Sequence, residues 1–265
     1  MPIRPVVNNK YAPAHKLAKF LNTKIETSQK LPKTNNASNS LTTAEDSIIL
    51  IIMPNNNIIT LDINDLYTNL PTKGDIEATK HWLGLSTINT AEQEQLVSAL
   101  RINIEQNYFQ CNNQHYQPSK GVAMGSHLSG TLAELFLQYL EKSYIKHWIN
   151  SKEIYFYTRY VVYILIIFDA NSITENKIAK WFNVIDTNMK FKYTVENKGC
   201  VSFLDLNIKR KPDRIELGVY RKETNTDITI HNNSNHPLEH RNAAYRFYIN
   251  RLTTLTITKT EKGKE

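Results

Sequence analysis

The chain has 265 residues, 41% of them hydrophobic, so it can bury one main core and at most a small appendage. Lys and Arg outnumber Asp and Glu by 32 to 25, and the net charge of +7 favours encounter with polyanions without specifying which one. The longest uncharged apolar stretches, Ile48–Met53 and Tyr160–Phe168, fall well short of the ~18 residues of a membrane span. The lack of such a span favours a protein that does not enter a membrane, and the presence of only two cysteines favours a reduced intracellular compartment, nuclear or cytoplasmic.

The chain has two cysteines, Cys111 and Cys200, and neither belongs to a cluster with metal-binding spacing. Free cysteine behaves as a small apolar side chain. We therefore expect both to be buried rather than to bind a metal.

Predicted helices and strands are interleaved along the chain. The residue spacing predicts helices over Ala14–Ile25, Asp75–Leu83, Thr90–Tyr108, Leu128–Trp148, Ile173–Met189 and Pro237–Leu252. It predicts strands over Ile58–Ile63, Tyr155–Phe168, Lys192–Glu196, Val201–Lys209 and Ile215–Arg221. A loop is predicted over Thr27–Thr43, and a hairpin turning on Asn112-Asn113 is predicted over Phe109–Gln117. Such interleaving with adjacent hairpins indicates an α+β fold rather than a doubly wound parallel sheet.

The segment Asp62–Pro71 (DINDLYTNLP) begins with a carboxylate at a strand end and has an aromatic residue five positions later. It resembles the first palm motif of reverse transcriptases. The resemblance implies that Asp62 holds a catalytic Mg²⁺ and that Tyr67 stacks under the sugar of the incoming nucleotide. By itself the spacing is weak, because Asp62 could cap a turn and Tyr67 could be a core residue.

A second segment, Gln117–Gly130 (QPSKGVAMGSHLSG), leads directly into Leu132–Phe136 (LAELF). It resembles the signature of Penelope-like retroelement reverse transcriptases, from which it departs at His127 and Gly130, where the family has prolines. In that family, the glycines of the signature let the backbone lie against the nucleotide and the template. The residues that the resemblance assigns to nucleotide binding are Gly121, Met124, Gly125 and Ser126.

Three shorter stretches follow the same family order. Arg4-Pro5-Val6-Val7 resembles the fingers motif whose arginine reaches the triphosphate, although Arg4 could equally be a solvated terminal charge. Phe203-Leu204-Asp205 with Val219–Lys222 (VYRK) resembles stretches that follow the palm, and His236–Tyr245 (HPLEHRNAAY) resembles the start of a C-terminal helix-turn-helix segment. The resemblance implies a right-hand polymerase palm, an antiparallel sheet backed by helices. It divides the chain into partial fingers (1–55), palm (56–225) and a helical segment at the start of the thumb (226–265).

Where the family has Tyr-Val-Asp-Asp, this chain has Tyr160-Val161-Val162-Tyr163. Nucleotidyl transfer uses two Mg²⁺ ions ~4 Å apart, and Mg²⁺ binds carboxylate and phosphate oxygens. Neither valine nor an un-ionised tyrosine replaces a carboxylate at neutral pH. Asp169 follows at the far end of the apolar strand, out of reach of the site. With Asp62 as the remaining metal carboxylate, we expect Mg²⁺ binding to be impaired and polymerase activity to be lost.

The resemblance thus implies a degenerate reverse transcriptase domain of a retrotransposon. Its ancestral partners would be an RNA template, a DNA primer and deoxynucleoside triphosphates, with Mg²⁺ as the cofactor. Two alternatives remain: a non-catalytic nucleic-acid-binding protein derived from such a domain, and an untranslated transposon remnant. The unbroken apolar run at the hairpin tip also predicts a tendency to pair at its edge and aggregate.

Overall fold

The computed structural model describes residues 6, 9–10, 12–28, 37, 39–224, 226, 228–255, 257 and 262–263. The helices are α1 (His15–Ser28), α2 (Ser40–Ile48), α3 (Leu66–Asn69), α4 (Thr72–Gly84), α5 (Thr90–Glu105), α6 (His127–Leu140), α7 (Lys146–Asn150), α8 (Glu175–Ile185) and α9 (Leu238–Thr254). The strands are β1 (Asn56–Asn64), β2 (Phe109–Cys111), β3 (Gln114–Tyr116), β4 (Ile154–Tyr160), β5 (Tyr163–Asp169), β6 (Lys190–Val195), β7 (Cys200–Phe203), β8 (Leu206–Arg210) and β9 (Ile215–Val219). The interleaving confirms the mixed character predicted from sequence.

The chain forms two compact units, the first comprising Met1–Thr34, Ile63–Ser151 and Asn176–Lys192. In this unit Ile25, Trp82 and Leu135 form a buried cluster that brings α1, α4 and α6 together. The indole Nε1 of Trp82 donates to the carbonyl of Leu135 at 3.0 Å, which satisfies the polar atom of a buried ring. Helical spacing of apolar residues on each element therefore accounts for this packing.

The second unit comprises Asn35–Asp62, Lys152–Glu175 and Tyr193–Glu265. One sheet has the strand order β4-β5-β1-β6 and a second has the order β7-β8-β9. A shared core joins β1 and β5 to the second sheet through Ile58, Leu165 and Ile167 on one side and Phe203, Leu206, Ile208 and Leu217 on the other. Because β5 is buried along most of its length, its sequence is an apolar run rather than an alternation.

Two stretches that the residue spacing predicts as single strands each form a hairpin of two strands. The stretch Tyr155–Phe168 is divided into β4 and β5, and Val201–Lys209 is divided into β7 and β8. The prediction was wrong because neither turn contains glycine, proline or asparagine, the strongest turn markers in a sequence. Val161 and Leu204 instead adopt positive φ angles of 50° and 56°.

The predicted loop Thr27–Thr43 was wrong at both ends, because α1 continues to Ser28 and α2 begins at Ser40. The side chain of Asn39 accepts from the amide of Thr42 at 2.9 Å and caps α2. The predicted helix Leu128–Trp148 is interrupted by a π-helical turn over Glu141–Ile145.

The prediction of buried cysteines was also wrong, since Cys111 is exposed and Cys200 is half-buried. Both lie on short strands whose burial the sequence pattern does not reveal. In the C-terminal segment, α9 buries none of its side chains. None of the helices in the described ranges combines the length and apolarity needed to cross a membrane.

Candidate active site

The sheet register places Asp62 directly opposite Tyr163. In the antiparallel pair β1 and β5, Asp62 faces Tyr163, Thr60 faces Leu165 and Ile58 faces Ile167. Directly opposed residues share one face of a sheet, with their Cα atoms ~5 Å apart. The half-buried Asp62 and the side chain of Tyr163, which is 42% exposed, therefore lie together at the end of the sheet face that contributes Ile58, Leu165 and Ile167 to the core.

The hairpin between β4 and β5 closes with Tyr160 opposite Tyr163, so Val161 and Val162 form a two-residue turn. Val161 has φ 50°, in the left-handed region that a β-branched residue rarely adopts. The guanidinium of Arg159, only 1% exposed, donates through Nη1 to the carbonyl of Val161 at 3.2 Å. The carbonyl of Arg159 in turn accepts from the amide of Ala37 at 2.8 Å. A buried arginine thus holds the strained turn from inside the protein.

The Val161-Val162 turn and Tyr163 place no second carboxylate beside Asp62 with which it could share a metal ion. In the ranges that the structure describes, no group of three or more His, Cys, Asp or Glu residues could hold a metal ion. A single aspartate can bind Mg²⁺ only with water and phosphate oxygens as further ligands. The donor set therefore does not fit a pair of Mg²⁺ ions.

Asp169 does not compensate for the missing pair, because it lies opposite Asn56 at the other end of β1. Six residues of strand separate Asn56 from Asp62, which corresponds to ~20 Å. The carboxylate of Asp169 accepts from the hydroxyl of Ser172 at 2.6 Å and from the amide of Asn171 at 3.0 Å. These hydrogen bonds, that of Ser172 above all, lower the pKa of Asp169 and hold it in a local turn. The expectation that Asp169 is out of reach is confirmed.

Replacing Val161 with asparagine is expected to stabilise the fold by about 1 kcal/mol, because asparagine tolerates the left-handed region better than valine. The matched control is Val195→Asn on β6, whose side chain is 38% exposed against 39% for Val161. Since Val195 has no positive φ, this control is expected to lose stability through lower strand propensity. Urea unfolding measures both changes, and equal shifts in the two variants would show that the turn at Val161 is unstrained.

The segment 117–126 lies against the residues that follow β1. The amide of Val122 donates to the carbonyl of Tyr67 at 2.7 Å. Gly121 has φ 80°, and a Cβ atom there would lie 2.5 Å from the carbonyl oxygen of Tyr67 and 2.6 Å from that of Thr68. The structure therefore brings the backbones of Tyr67 and Gly121 together. Gly121 serves close packing of the protein's own backbone.

The next residues of the segment lead into α6. Met124 forms a parallel bridge with Val6, and Gly125 is exposed with φ 114°. Ser126 is the N-cap of α6, and its hydroxyl accepts from the amide of Leu128 at 3.4 Å. Of these residues, Gly125 has the exposed backbone that a ligand could approach. Arg4 lies outside the described residues.

Sequence reasoning missed two residues near these segments. Arg159, which fixes the Val161 turn, directly precedes the Tyr160–Tyr163 motif and was given no role in the predicted site. Asp75 on α4 is fully buried, and burial raises the pKa of its carboxyl to about 8. Neither carboxylate oxygen of Asp75 has a hydrogen-bond partner among the described residues. Its place on the buried face with Ala78, Thr79 and Trp82 could have been found from helical spacing.

No protein-family model matches the chain, and no curated protein matches it. Among solved structures, it is similar to telomerase from Candida tropicalis in complex with the TWJ fragment of telomeric RNA, at 12% identity and a TM-score of 0.59, over 93% of this chain and 42% of that chain. Telomerase from Candida albicans in complex with the same kind of fragment is 12% identical, with a TM-score of 0.56, over 90% of this chain and 42% of that chain. Apo telomerase from Candida tropicalis is 12% identical, with a TM-score of 0.54, over 77% of this chain and 40% of that chain.

Telomerase is a polymerase of the reverse-transcriptase type. At 12% identity the likeness shows the fold alone, and the chain spans about two fifths of the telomerase structures that it matches. The chain therefore has a reverse-transcriptase-like polymerase fold, built from α-helices and antiparallel sheets.

Proposed function

We propose that the chain is a retrotransposon reverse transcriptase domain of Penelope-like descent that no longer catalyses nucleotidyl transfer. The observation that carries the proposal is the register of β1 against β5, in which Tyr163 rather than a carboxylate faces Asp62. Support for the descent comes from the Gln117–Gly130 segment, which follows Asp62 in the family order and continues through the N-cap of α6 into its first turn. On this proposal residues 1–55 are partial fingers, 56–225 the palm and 226–265 the start of the thumb, in a nuclear or cytoplasmic protein.

In the ancestral reaction Mg²⁺ would activate the primer 3′-oxygen and neutralise the triphosphate. Asp62 is the residue of this chain that would contribute to such a site, and Tyr67 with Gly125 would lie along the nucleotide. Preorganised charge that stabilises the transition state usually accounts for most of the rate enhancement in such catalysis. Loss of two adjacent carboxylates removes most of this stabilisation, because Tyr163 has a phenol in place of a carboxyl group and Val162 has no polar side-chain atom.

The test is extension of a DNA primer on an RNA template with Mg²⁺ and deoxynucleoside triphosphates. The natural chain is expected to give no extension, and the double variant Val162→Asp, Tyr163→Asp is expected to gain at least ~100-fold. The control variant Val162→Asn, Tyr163→Asn restores polarity without charge and is expected to remain inactive. Adding Asp62→Asn to the double Asp variant should abolish the gain.

Robust synthesis by the natural chain would overturn the proposed loss of activity. A double Asp variant that folds and binds primer-template but does not extend it would count against the polymerase descent. Binding is measured separately by anisotropy of a labelled primer-template, so that failure to bind is not mistaken for failure to react.

A second candidate function is nucleic-acid binding without catalysis. The excess of Lys and Arg, 32 against 25 acidic residues, favours it, and two of the similar telomerase structures contain RNA. This function predicts an affinity for primer-template that falls steeply as salt rises. An affinity that does not change with salt would exclude binding through phosphates.

A further inference from the structure

In the first unit, α4, α5 and the segment 117–121 enclose a cleft of about 450 Å³. This volume is within the ~300–1,000 Å³ range of ligand-binding clefts in proteins. The charged residues that line the cleft are Lys73, Lys80, Arg101, Lys120, Glu77 and Glu105. Four cations against two carboxylates make the cleft positive.

The cations of the cleft are available to a ligand. Lys73, Lys80, Arg101 and Lys120 are all exposed. Within the described part of the chain, the first three form no ion pair, and Lys120 donates to the side-chain oxygen of Asn69 at 2.8 Å. Clustered cations that outnumber the carboxylates beside them are an electrostatic site for phosphates.

An aromatic hairpin stands next to the cleft. The side-chain amide of Gln117, at the end of the hairpin, donates to the carbonyl of Glu105 at 2.7 Å and ties it to α5. The rings of Phe109 and Tyr116 are stacked across β2 and β3, with centroids 5.5 Å apart and planes at 21°. Tyr108 is 58% exposed and Tyr116 is 43% exposed. The hairpin therefore presents aromatic surface that the protein does not cover.

The composition of this hairpin suits unpaired bases. Residues 106–119 (QNYFQCNNQHYQPS) contain no Lys, Arg, Asp or Glu and are rich in Asn and Gln. Aromatic rings stack on splayed bases, and side-chain amides hydrogen-bond to their edges, whereas the bases of a duplex are stacked on one another and inaccessible to rings. A positive groove beside exposed aromatic rings is the arrangement by which proteins hold single strands.

We propose that this cleft and hairpin bind single-stranded nucleic acid. Lys73, Lys80 and Arg101 contact the phosphates, and Tyr108 and Tyr116 stack on the bases. The inference rests on the second candidate function, nucleic-acid binding without catalysis. It adds the location of the binding site and specifies that the ligand is single-stranded. It is independent of nucleotidyl transfer, because none of these residues belongs to the Asp62 sheet.

The test is anisotropy titration of the full chain with fluorescein-labelled 12-nucleotide single strands, RNA and DNA, between ~50 and ~200 mM salt, where phosphate contacts are most visible. Lys80→Ala with Arg101→Ala is expected to weaken binding about 10-fold and to reduce the slope of log affinity against log salt by about 1.4. Tyr116→Ala is expected to weaken binding by about 10-fold without changing that slope. A labelled blunt duplex measured in parallel should be affected less than about 2-fold by either change.

Matched controls are available on other surfaces. Lys16→Ala with Lys19→Ala removes the same charge from exposed positions on α1, and Tyr155→Ala removes a tyrosine that is 45% exposed. Lys73→Ala with Lys80→Ala repeats the test if the first pair impairs folding. Equal effects in cleft and control variants would overturn the proposal, as would equal losses for single strand and duplex. Tyr116→Ala that leaves single-strand binding unchanged but alters the sedimentation mass would overturn it in favour of a protein contact.

Discussion

Substituting alanine for Gly121 is expected to lower the free energy of unfolding by about 3 kcal/mol or more, because two separate costs coincide. The residue has φ 80°, which an L side chain rarely adopts. Its new Cβ would also lie 2.5 Å from the carbonyl oxygen of Tyr67 and 2.6 Å from the carbonyl carbon of Thr68. Backbone atoms cannot rotate away as side chains do. The segment must therefore move, and the hydrogen bond from Val122 to Tyr67 must lengthen or break.

Gly130→Ala, nine residues further along, is the control for this prediction. A Cβ at Gly130 meets no atom within 4 Å, and the residue lies in the first turn of α6. Alanine there is expected to raise stability by about 0.5 to 1 kcal/mol, because it reduces the freedom of the unfolded chain. Urea unfolding of both variants gives the comparison. Losses of similar size would show that the close approach at Gly121 does not constrain the fold.

Local sequence signals were sufficient where the turn residues themselves favour a turn. The hairpin of β2 and β3 was predicted from Asn112-Asn113, and both residues adopt the positive φ angles, 49° and 59°, that such a hairpin needs. Residue spacing did not predict the hairpins at Val161 and Leu204. Neither valine nor leucine has an intrinsic preference for positive φ, so strand pairing must impose it, helped at Val161 by the buried Arg159. Long-range contacts decide these two turns, and no local pattern encodes them.

Some features of the candidate site were likewise predictable from local sequence, and others depend on long-range contacts. The order of Asp62, the 117–126 segment and the Val162-Tyr163 pair is encoded in sequence. The register between β1 and β5 is not, because β5 is buried on both faces and has no alternation that would distinguish one register from the next. The contact of Gly121 with the Tyr67 backbone was not predicted, because residues 54 positions apart must first be brought together by folding. The nucleotide-binding role that the resemblance implies for both glycines stays a prediction. The close approach shows that Gly121 also serves packing, whereas Gly125 is exposed.

Asp75→Asn is expected to remove most of the pH dependence that this carboxyl gives to stability. Burial raises the pKa of Asp75 from 3.8 to about 8. Below pH 3.8 the carboxyl is protonated in both the folded and the unfolded chain. As the pH rises toward 8, only the unfolded chain releases the proton, so the free energy of unfolding falls by about 1.4 kcal/mol per pH unit. The stabilising effect of protonation is thus present at low pH and lost as pH rises.

Asparagine has nearly the shape of the protonated carboxyl and cannot ionise. Relative to the variant, the natural protein should therefore lose about 4 kcal/mol of stability between pH 4.5 and pH 8, whereas a cost of ~1–3 kcal/mol for the unpaired amide shifts the variant's curve equally at every pH. Urea unfolding at several pH values measures the divergence. Glu77→Gln, at an exposed position on the same helix, is expected to give a curve parallel to that of the natural protein. Parallel curves for Asp75→Asn as well would mean that the carboxyl of Asp75 ionises normally, and that α4 opens to water at its first turn.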